Sequence, residues 1–153
     1  MTLPMHSPAE LTQAVVAYFE SLTPQSLSQL SDLYAAQARF KDPFNEVQGL
    51  PSIEAIFEHM FRRLVNPRFV VTTQVLEGHQ CFLTWDFLFV TGSGANRSEF
   101  TVRGATHLVY EPQANGHWRI VVHRDYWDVA EELYEKLPVL GALMRWLKRR
   151  ARS

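Results

Sequence analysis

The segment from Arg68 to Trp127 alternates apolar stretches with short turns, and this pattern constrains the fold more than any other feature of the chain. It predicts strands at residues 69–76, 81–91, 100–111 and 118–127, separated by glycine-containing turns. In the second strand, Leu83, Trp85 and Phe87 share one face, because alternate side chains of a strand point the same way. Turns this short join antiparallel strands, so the segment predicts an antiparallel sheet with one apolar face.

Helices are predicted before and after this sheet. Ser7-Pro8-Ala9-Glu10 combines a capping serine, a proline and a glutamate in the pattern that begins a helix. Apolar stripes at helical spacing also follow Thr23 and occupy residues 52–64. Helices followed by antiparallel strands are typical of the α+β class. We therefore expect one α+β domain over residues 1–153, in which a curved sheet wraps around the N-terminal helices and leaves a concave apolar face open at one end.

Composition disfavours several classes of protein. Cys81 is the only cysteine, so the chain has no internal disulfide and no cysteine-rich zinc site. The six histidines show no metal-binding spacing, and we expect no metal and no other cofactor. No signal peptide and no apolar stretch of roughly 18 residues is recognised, so a cytoplasmic location is expected. The sheet lacks the interleaved aromatic and basic residues of single-strand binders, and we expect no nucleic-acid partner.

The last predicted strand changes from apolar to polar halfway along its length. It begins at Ile120, and its second half places His123, Asp125 and Trp127 on one face. A histidine and an aspartate are costly to bury unless they are hydrogen-bonded or exposed to a pocket. We interpret this face as part of the lining of a pocket.

Two regions of the chain resemble a known group of proteins. Residues 14 to 61 are similar to the N-terminal half of the ketosteroid isomerases, and the Tyr126-Trp127 pair is similar to the end of their sheet. The matching stretches are Val16-Ala17-Tyr18, Asp32-Leu33-Tyr34-Ala35, Phe40-Lys41-Asp42-Pro43-Phe44 and the helix from Gly49 to Phe61. Over about residues 10 to 130 the chain resembles the nuclear transport factor 2-like superfamily and its SnoaL-like branch, which includes polyketide cyclases. The resemblance implies a cone-shaped, cystatin-like fold, which serves isomerases, cyclases, dehydratases and non-enzymatic binding proteins.

The resemblance also implies roles for individual polar residues. Asp42 matches the isomerases' general base, and Tyr18 matches the phenol that stabilises the resulting oxyanion. Thr106, or a neighbour of it, stands where those enzymes carry a protonated carboxylic acid as a third element. Asp125 and His123 occupy pocket-facing positions that are apolar in the isomerases. They offer a second polar centre, in which Asp125 would act as the acid–base group that polyketide cyclases use.

These residues suggest a ligand site, and we expect it to be apolar. The predicted ligand-binding residues are Phe44, Met60, Trp85, Phe87, Thr106 and Trp127. The resulting hypothesis is a protein that binds a small hydrophobic molecule and acts as a cofactor-independent isomerase, cyclase or dehydratase through carboxylate chemistry. The alternative is a non-catalytic ligand-binding or protein-interaction module of the same fold. We expect a homodimer through the outer face of the sheet, where Arg103 and His107 would lie.

Structural explanations for the same residues stay open. An aspartate before a proline, as at Asp42, often ends a strand by accepting hydrogen bonds from nearby amides. Tyr18 lies on an apolar helical stripe, where a core tyrosine with a bonded hydroxyl is expected. His123 and Asp125 could simply satisfy each other, or pair with arginines at a rim.

The C-terminal tail differs in charge from the rest of the chain. The last nine residues include five basic side chains and no acidic one, whereas the other 144 residues hold 10 basic and 16 acidic side chains. Beyond a core of about residues 8–130, an amphipathic basic helix is predicted over about 138–152, with Leu140, Leu143, Met144 and Leu147 on one face. We favour a helix that packs across the domain and has a solvated basic end. Contact with an anionic membrane is possible and is the less favoured alternative.

Overall fold

The N-terminal helices come first and are followed by a long-stranded sheet, as the sequence predicts. The computed structural model describes residues 4–132 and 138–151. Its helices are α1 (Pro8–Glu20), a 3-10 helix (Pro24–Gln29), α2 (Leu30–Leu33), α3 (Leu50–Arg63), a 3-10 turn (Gly94–Asn96), α4 (Val129–Glu132) and α5 (Pro138–Ala151). Its strands are β1 (Tyr34–Lys41), β2 (Glu46–Gln48), β3 (Val65–Glu77), β4 (Gln80–Thr91), β5 (Ser98–Pro112) and β6 (Trp118–Tyr126).

Helix α1 begins at the predicted capping signal. The Ser7 hydroxyl accepts a hydrogen bond from the Glu10 amide at 3.2 Å, which satisfies a donor that has no partner within the helix. The Glu10 carboxylate accepts from the His6 amide at 2.7 Å, one residue before the position that a capping box would use. Helical spacing then buries Leu11 and Val15 on the side that faces the sheet.

The six strands form one curved sheet in the order β2-β1-β6-β5-β4-β3. Neighbouring strands are antiparallel except for β1 and β6, which run parallel and place Phe40 opposite His123. The antiparallel prediction therefore holds for β3 to β6 and misses the parallel pair. Residues 43–49, predicted as a loop, contain the short strand β2, which extends the edge beyond β1.

The core lies between the inner face of the sheet and helices α1 and α3. Along β4 the buried residues Cys81, Leu83 and Trp85 alternate with exposed residues, which is the pattern of a sheet with one buried face. Phe19 from α1 and Phe57 from α3 pack against this face. The α+β prediction of helices on a curved sheet is confirmed.

Two helices follow the sheet. The Asp128 carboxylate caps α4 by accepting from the amides of Ala130 and Glu131 at 2.9 and 3.1 Å. Asp128 and Glu131 stand in the capping-box pattern that predicts a helix to about residue 137, and its part beyond Glu132 lies outside the described residues. Helix α5 corresponds to the predicted C-terminal helix, and position 152 again lies outside the described residues. None of the helices within residues 4–132 and 138–151 has the length and apolar character needed to span a bilayer.

The apolar face of α5 is not packed as expected. Leu143, Trp146 and Leu147 are exposed by 51%, 43% and 46%. The prediction that this face packs across the domain is therefore wrong for Leu143 and Leu147. The side chains of Leu140 and Met144 lie outside the described part of the chain.

Candidate functional site

A chain of hydrogen bonds joins five side chains across the inner face of the sheet. The indole Nε1 of Trp85 donates to Thr106 Oγ1 at 2.8 Å, and Thr106 Oγ1 donates to Asp125 Oδ1 at 2.5 Å. Asp125 Oδ1 also lies 2.8 Å from Nε2 of His123. On the other side of the ring, His123 Nδ1 lies 2.7 Å from the hydroxyl of Tyr34. The chain of bonds thus connects β4, β5, β6 and β1.

The donors and acceptors determine the direction of this chain. Trp85 has only a donor and a carboxylate at Asp125 has only acceptors, so the Thr106 hydroxyl accepts from one and donates to the other. By the same reasoning His123 carries a proton on Nε2. Burial, together with the charge of Asp125, raises the pKa of Tyr34 well above its ordinary value, so its hydroxyl stays protonated. A hydroxyl can donate or accept, so the direction of the bond between Tyr34 and Nδ1 depends on the tautomer of the imidazole.

The two ionisable groups of the pair differ in exposure. The His123 side chain is 6% exposed, and that of Asp125 is 19% exposed. The imidazole ring packs against Phe40, with ring centroids 4.6 Å apart, and against Phe19 at 6.1 Å. The apolar rings restrict the histidine to one orientation, while Asp125 keeps access to solvent. Among the described residues, no hydrogen bond reaches the second oxygen of Asp125, Oδ2.

An apolar cavity of about 30 Å³ lies beneath this pair. Its wall includes Phe19, Phe57, Phe69, Leu83, Trp85, Thr106, His123 and Asp125. Such a volume holds one or two water molecules, whereas sites for drug-sized ligands measure roughly 300–1,000 Å³. The inner cavity would therefore accept only a small part of a ligand unless its aromatic walls move.

A larger, open groove lies at the end of β6. Its volume is about 530 Å³, and it is lined by residues 41–43 and 124–128. We call it the β6 groove. Trp127 forms part of its wall, and the exposed ring of Phe44 packs on Trp127 at 5.5 Å between centroids. Asp125 lines both the groove and the inner cavity, so this residue lies where the two meet.

Asp42 also lines the β6 groove, but its carboxylate is engaged by its own turn. Its Oδ1 accepts from the amides of Phe44 and Asn45 at 2.8 and 2.6 Å, and the side-chain amide of Asn45 reaches both oxygens at 3.1 Å. The turn between β1 and β2 depends on these bonds. Asp42 is therefore near Asp125 in the groove wall and also has a structural task.

Tyr18, Met60 and Phe87 line neither the inner cavity nor the β6 groove. The Tyr18 hydroxyl donates to the carbonyl of Ser26 at 2.8 Å, and it lines neither the inner cavity nor the β6 groove. Met60 is partly buried against the core and lines neither as well. Phe87 stacks on Phe69, a cavity residue, with centroids 4.4 Å apart. The structure thus joins His123, Asp125, Thr106 and Trp85 in one hydrogen-bonded chain, whereas the Tyr18 hydroxyl bonds to Ser26 instead.

Raising the pH above 10 is expected to weaken the fold in part through Tyr18. Burial raises the pKa of this phenol from 10 to about 12, and Glu54 and Asp32 act in the same direction against the hydrogen bond to Ser26. The unfolded chain then loses the Tyr18 proton at lower pH than the folded chain. The contribution of the protonated Tyr18 to the free energy of unfolding is therefore fully present below pH 10 and is lost as the pH rises through about 12. In urea unfolding at alkaline pH, Tyr18→Phe should lose less stability than wild type, and a loss equal to that of wild type would contradict this. Exposed Tyr126→Phe is the matched control.

Trp85 owes its position to a glycine on the neighbouring strand. Gly104 lies opposite Trp85 in the β4–β5 pair, and the indole ring covers its Cα. A Cβ at position 104 would lie 2.3 Å from Cη2 of Trp85, which is far inside van der Waals contact. The missing side chain therefore makes room for the ring whose Nε1 holds Thr106.

No group of three His, Cys, Asp or Glu side chains within residues 4–132 and 138–151 is arranged to hold a metal ion. The polar centre of the inner face consists of one carboxylate, one imidazole, two hydroxyls and one indole. Such a set can orient one carboxylate and transfer protons.

Comparison with known proteins adds a family and a fold. Residues 15–123 match the model of the SnoaL-like domain. An NTF2-like protein of unknown function from Burkholderia pseudomallei has 16% identity and a TM-score of 0.66 over 81% of this chain and 92% of its own. A Catenulispora acidiphila protein with a ketosteroid isomerase-like fold, in complex with trimethylamine, has 18% identity and a TM-score of 0.64 over 81% and 89%. A candidate SnoaL-like polyketide cyclase from Shewanella denitrificans has 17% identity and a TM-score of 0.63 over 82% and 96%. At this identity the likeness shows the fold alone, and no protein of curated function matches the chain.

Proposed function

Because this chain belongs to the SnoaL-like domain family, we propose that it binds a small, largely apolar molecule and moves a proton on it without a cofactor. Asp125 is the acid–base group of this proposal. The observation that carries it is the state of this carboxylate: Oδ1 is held by Thr106 and His123, and no described residue bonds to Oδ2. One oxygen of this carboxylate is held and the other has no described partner, and the residue lines both an apolar cavity and an open groove, an arrangement that suits proton transfer.

The proposed reaction begins at a carbon next to a carbonyl group. Oδ2 of Asp125 takes a proton from that carbon, and the electron pair of the C–H bond moves to form an enolate. When a C=C bond is conjugated with the enolate, return of the proton from Asp125 to the far carbon of that bond gives an isomer. Attack of the enolate carbon on a second carbonyl instead closes a ring, and the alkoxide that forms takes the proton back from Asp125. Thr106 and His123 act as positioning residues.

We prefer Asp125 to Asp42 as the base. Both carboxylates line the β6 groove, but Asp42 accepts three hydrogen bonds on Oδ1 and one on Oδ2 within its own turn. Asp125 also lines the apolar inner cavity, which Asp42 does not. The description of the Shewanella denitrificans protein as a candidate polyketide cyclase supports a carbonyl-containing substrate and a ring closure or isomerisation.

The test is to look for a bound molecule and for its chemistry. Native mass spectrometry of freshly purified protein, followed by denaturing release, should reveal a discrete small molecule. In parallel, apolar ketones and β-keto esters are incubated with the protein in D₂O, and deuterium entering the position next to the carbonyl is measured by NMR. Catalysed exchange is the expected result, because removal and return of that proton is the proposed step. An empty protein that exchanges none of these compounds would favour a non-catalytic module instead.

We also propose that two copies associate through the outer face of the sheet. Phe82 is 50% exposed there and stacks on His107 at 4.4 Å, and Val75, its partner across the strand pair, is 56% exposed. Arg103 lies opposite Asp86 on the same face. The face therefore carries both a positive and a negative charge, and in a two-fold symmetric dimer each charge can pair with its opposite on the second copy. Sedimentation equilibrium should give a dimer, and Phe82→Asp should give a monomer. A monomeric wild-type chain would contradict the proposal, and Val65→Asp, exposed elsewhere, is the control.

A further inference from the structure

Helix α5 has one side that faces the protein and one that faces solvent. Gly141 is buried, and Lys148 forms an ion pair with Glu131 of α4 at 3.7 Å. At 100° per residue these two positions lie on the same side of the helix. They mark the side of α5 that is attached to the rest of the molecule.

The solvent side carries an apolar stripe. Leu143, Trp146 and Leu147 follow the i, i+3, i+4 spacing of one helix face, and each is more than two-fifths exposed. By the same geometry this stripe lies opposite Gly141 and Lys148. Arg150 continues the stripe by one turn, with its guanidinium 4.7 Å from the centre of the Trp146 ring. Three large apolar side chains face water on one helix, and covering such a surface is energetically favourable.

The charges next to this stripe indicate what covers it. Arg149 and Arg150 are exposed beside the apolar side chains, and the last nine residues of the chain contain no acid. A second copy of α5 would bring two helices together that each carry Arg145, Lys148, Arg149 and Arg150 and no acidic side chain, and repulsion between these like charges disfavours self-association. A nucleic acid would use the arginines but would gain nothing from Leu143 and Leu147. An anionic lipid surface would contact both the arginines and the apolar stripe. Its headgroups attract arginine, and its interface accepts leucine and tryptophan.

We propose that α5 is a docking surface for an anionic lipid bilayer, in whose interface Leu143, Trp146 and Leu147 are buried while Arg149 and Arg150 contact the headgroups. The helix lies in the plane of the interface and does not cross the bilayer. The remaining 144 residues, with 10 basic and 16 acidic side chains, are repelled by the same surface. The charge difference therefore turns the tail, and not the body, toward the membrane.

The experiment is co-sedimentation of the full-length protein with phosphatidylcholine vesicles that contain or lack phosphatidylserine. Binding to the phosphatidylserine vesicles is expected, with a decrease at high salt. Arg149→Gln/Arg150→Gln should lower the partition coefficient about 25-fold, since each cation near such a surface contributes roughly a factor of five. Leu143→Ser/Leu147→Ser should also lower it. The matched controls are Arg62→Gln/Arg63→Gln, exposed at the end of α3, and Val65→Ser, exposed on β3.

Three results would overturn the proposal. The first is no binding, or binding that is equal with and without phosphatidylserine. The second is a loss in the α3 arginine variant as large as the loss in the α5 arginine variant, because binding would then follow overall charge. The third is binding of a duplex oligonucleotide with no binding to vesicles. Circular dichroism of each variant identifies any that has lost the fold, and the two α5 variants change exposed side chains only.

Discussion

Replacement of Asp125 by asparagine is expected to lower the rate of deuterium exchange, or of turnover, by about 10²–10⁴. A carboxamide cannot take up a proton at the working pH, so the step assigned to Oδ2 is lost. The amide oxygen can still accept hydrogen bonds from Thr106 and His123, which hold Oδ1 in the native protein at 2.5 and 2.8 Å. The variant should therefore keep its fold and its ligand while it loses its chemistry.

Two further variants make this result specific. Asp86→Asn is the same change on the outer face of the sheet, opposite Arg103, and should leave the rate unchanged. Asp42→Asn tests the competing carboxylate of the β6 groove. If Asp42→Asn abolishes exchange and Asp125→Asn does not, the base is Asp42 and the assignment made here is wrong. The rates are compared at saturating substrate, after urea unfolding has shown that each variant is folded.

The second large effect is expected from Gly104→Ala. The new Cβ would lie 2.3 and 2.5 Å from Cη2 and Cζ2 of Trp85, and an indole ring cannot yield without a change of rotamer. Overpacking of this kind costs about 1–3 kcal/mol in free energy of unfolding. Because Nε1 of Trp85 is the donor to Thr106, displacement of the ring also removes a hydrogen bond on which the orientation of Asp125 depends. Both stability and exchange rate should fall.

A double-mutant cycle separates the clash from other effects of the substitution. Urea unfolding is measured for Gly104→Ala, Trp85→Leu and the double variant. In the Trp85→Leu background the alanine should cost little, since the smaller side chain leaves space above position 104. An equal cost in both backgrounds would show that the loss at Gly104 does not come from contact with Trp85.

Local sequence signals were sufficient for the elements of the fold. Side-chain capping at Ser7, the helical stripe with Ile53 and Phe57, and the alternation along β4 each depend on residues close in sequence, and each appears as predicted. Placing His123 and Asp125 on one face required only the two-residue period of a strand. These features are local, and a single chain therefore reveals them.

The connections between elements could not be predicted in the same way. Tyr34 begins β1 and bonds to His123, 89 residues away, and nothing near Tyr34 in the sequence indicates this partner. The bond from Trp85 to Thr106 depends on the register of β4 against β5, which turn length alone does not specify. The β1–β6 pairing likewise has no local signature. The pairing of His123 with Asp125 could therefore be predicted from the sequence, but the hydrogen bonds that hold the pair in place could not.

The parallel pairing of β1 with β6 also determines when the site can form. The two strands come from opposite ends of the domain, so the centre of the sheet closes only after residues up to about 126 have been synthesised. Closing a loop of that length is slow compared with forming the hairpins β3–β4 and β5–β6. Until then the edge of β1 that faces β6 is unpaired, and the Tyr34 hydroxyl lacks its partner His123. The acid–base centre is thus expected to form in the last long-range step of folding. A folding intermediate that precedes this step would contain the β3–β4 and β5–β6 hairpins but no complete site.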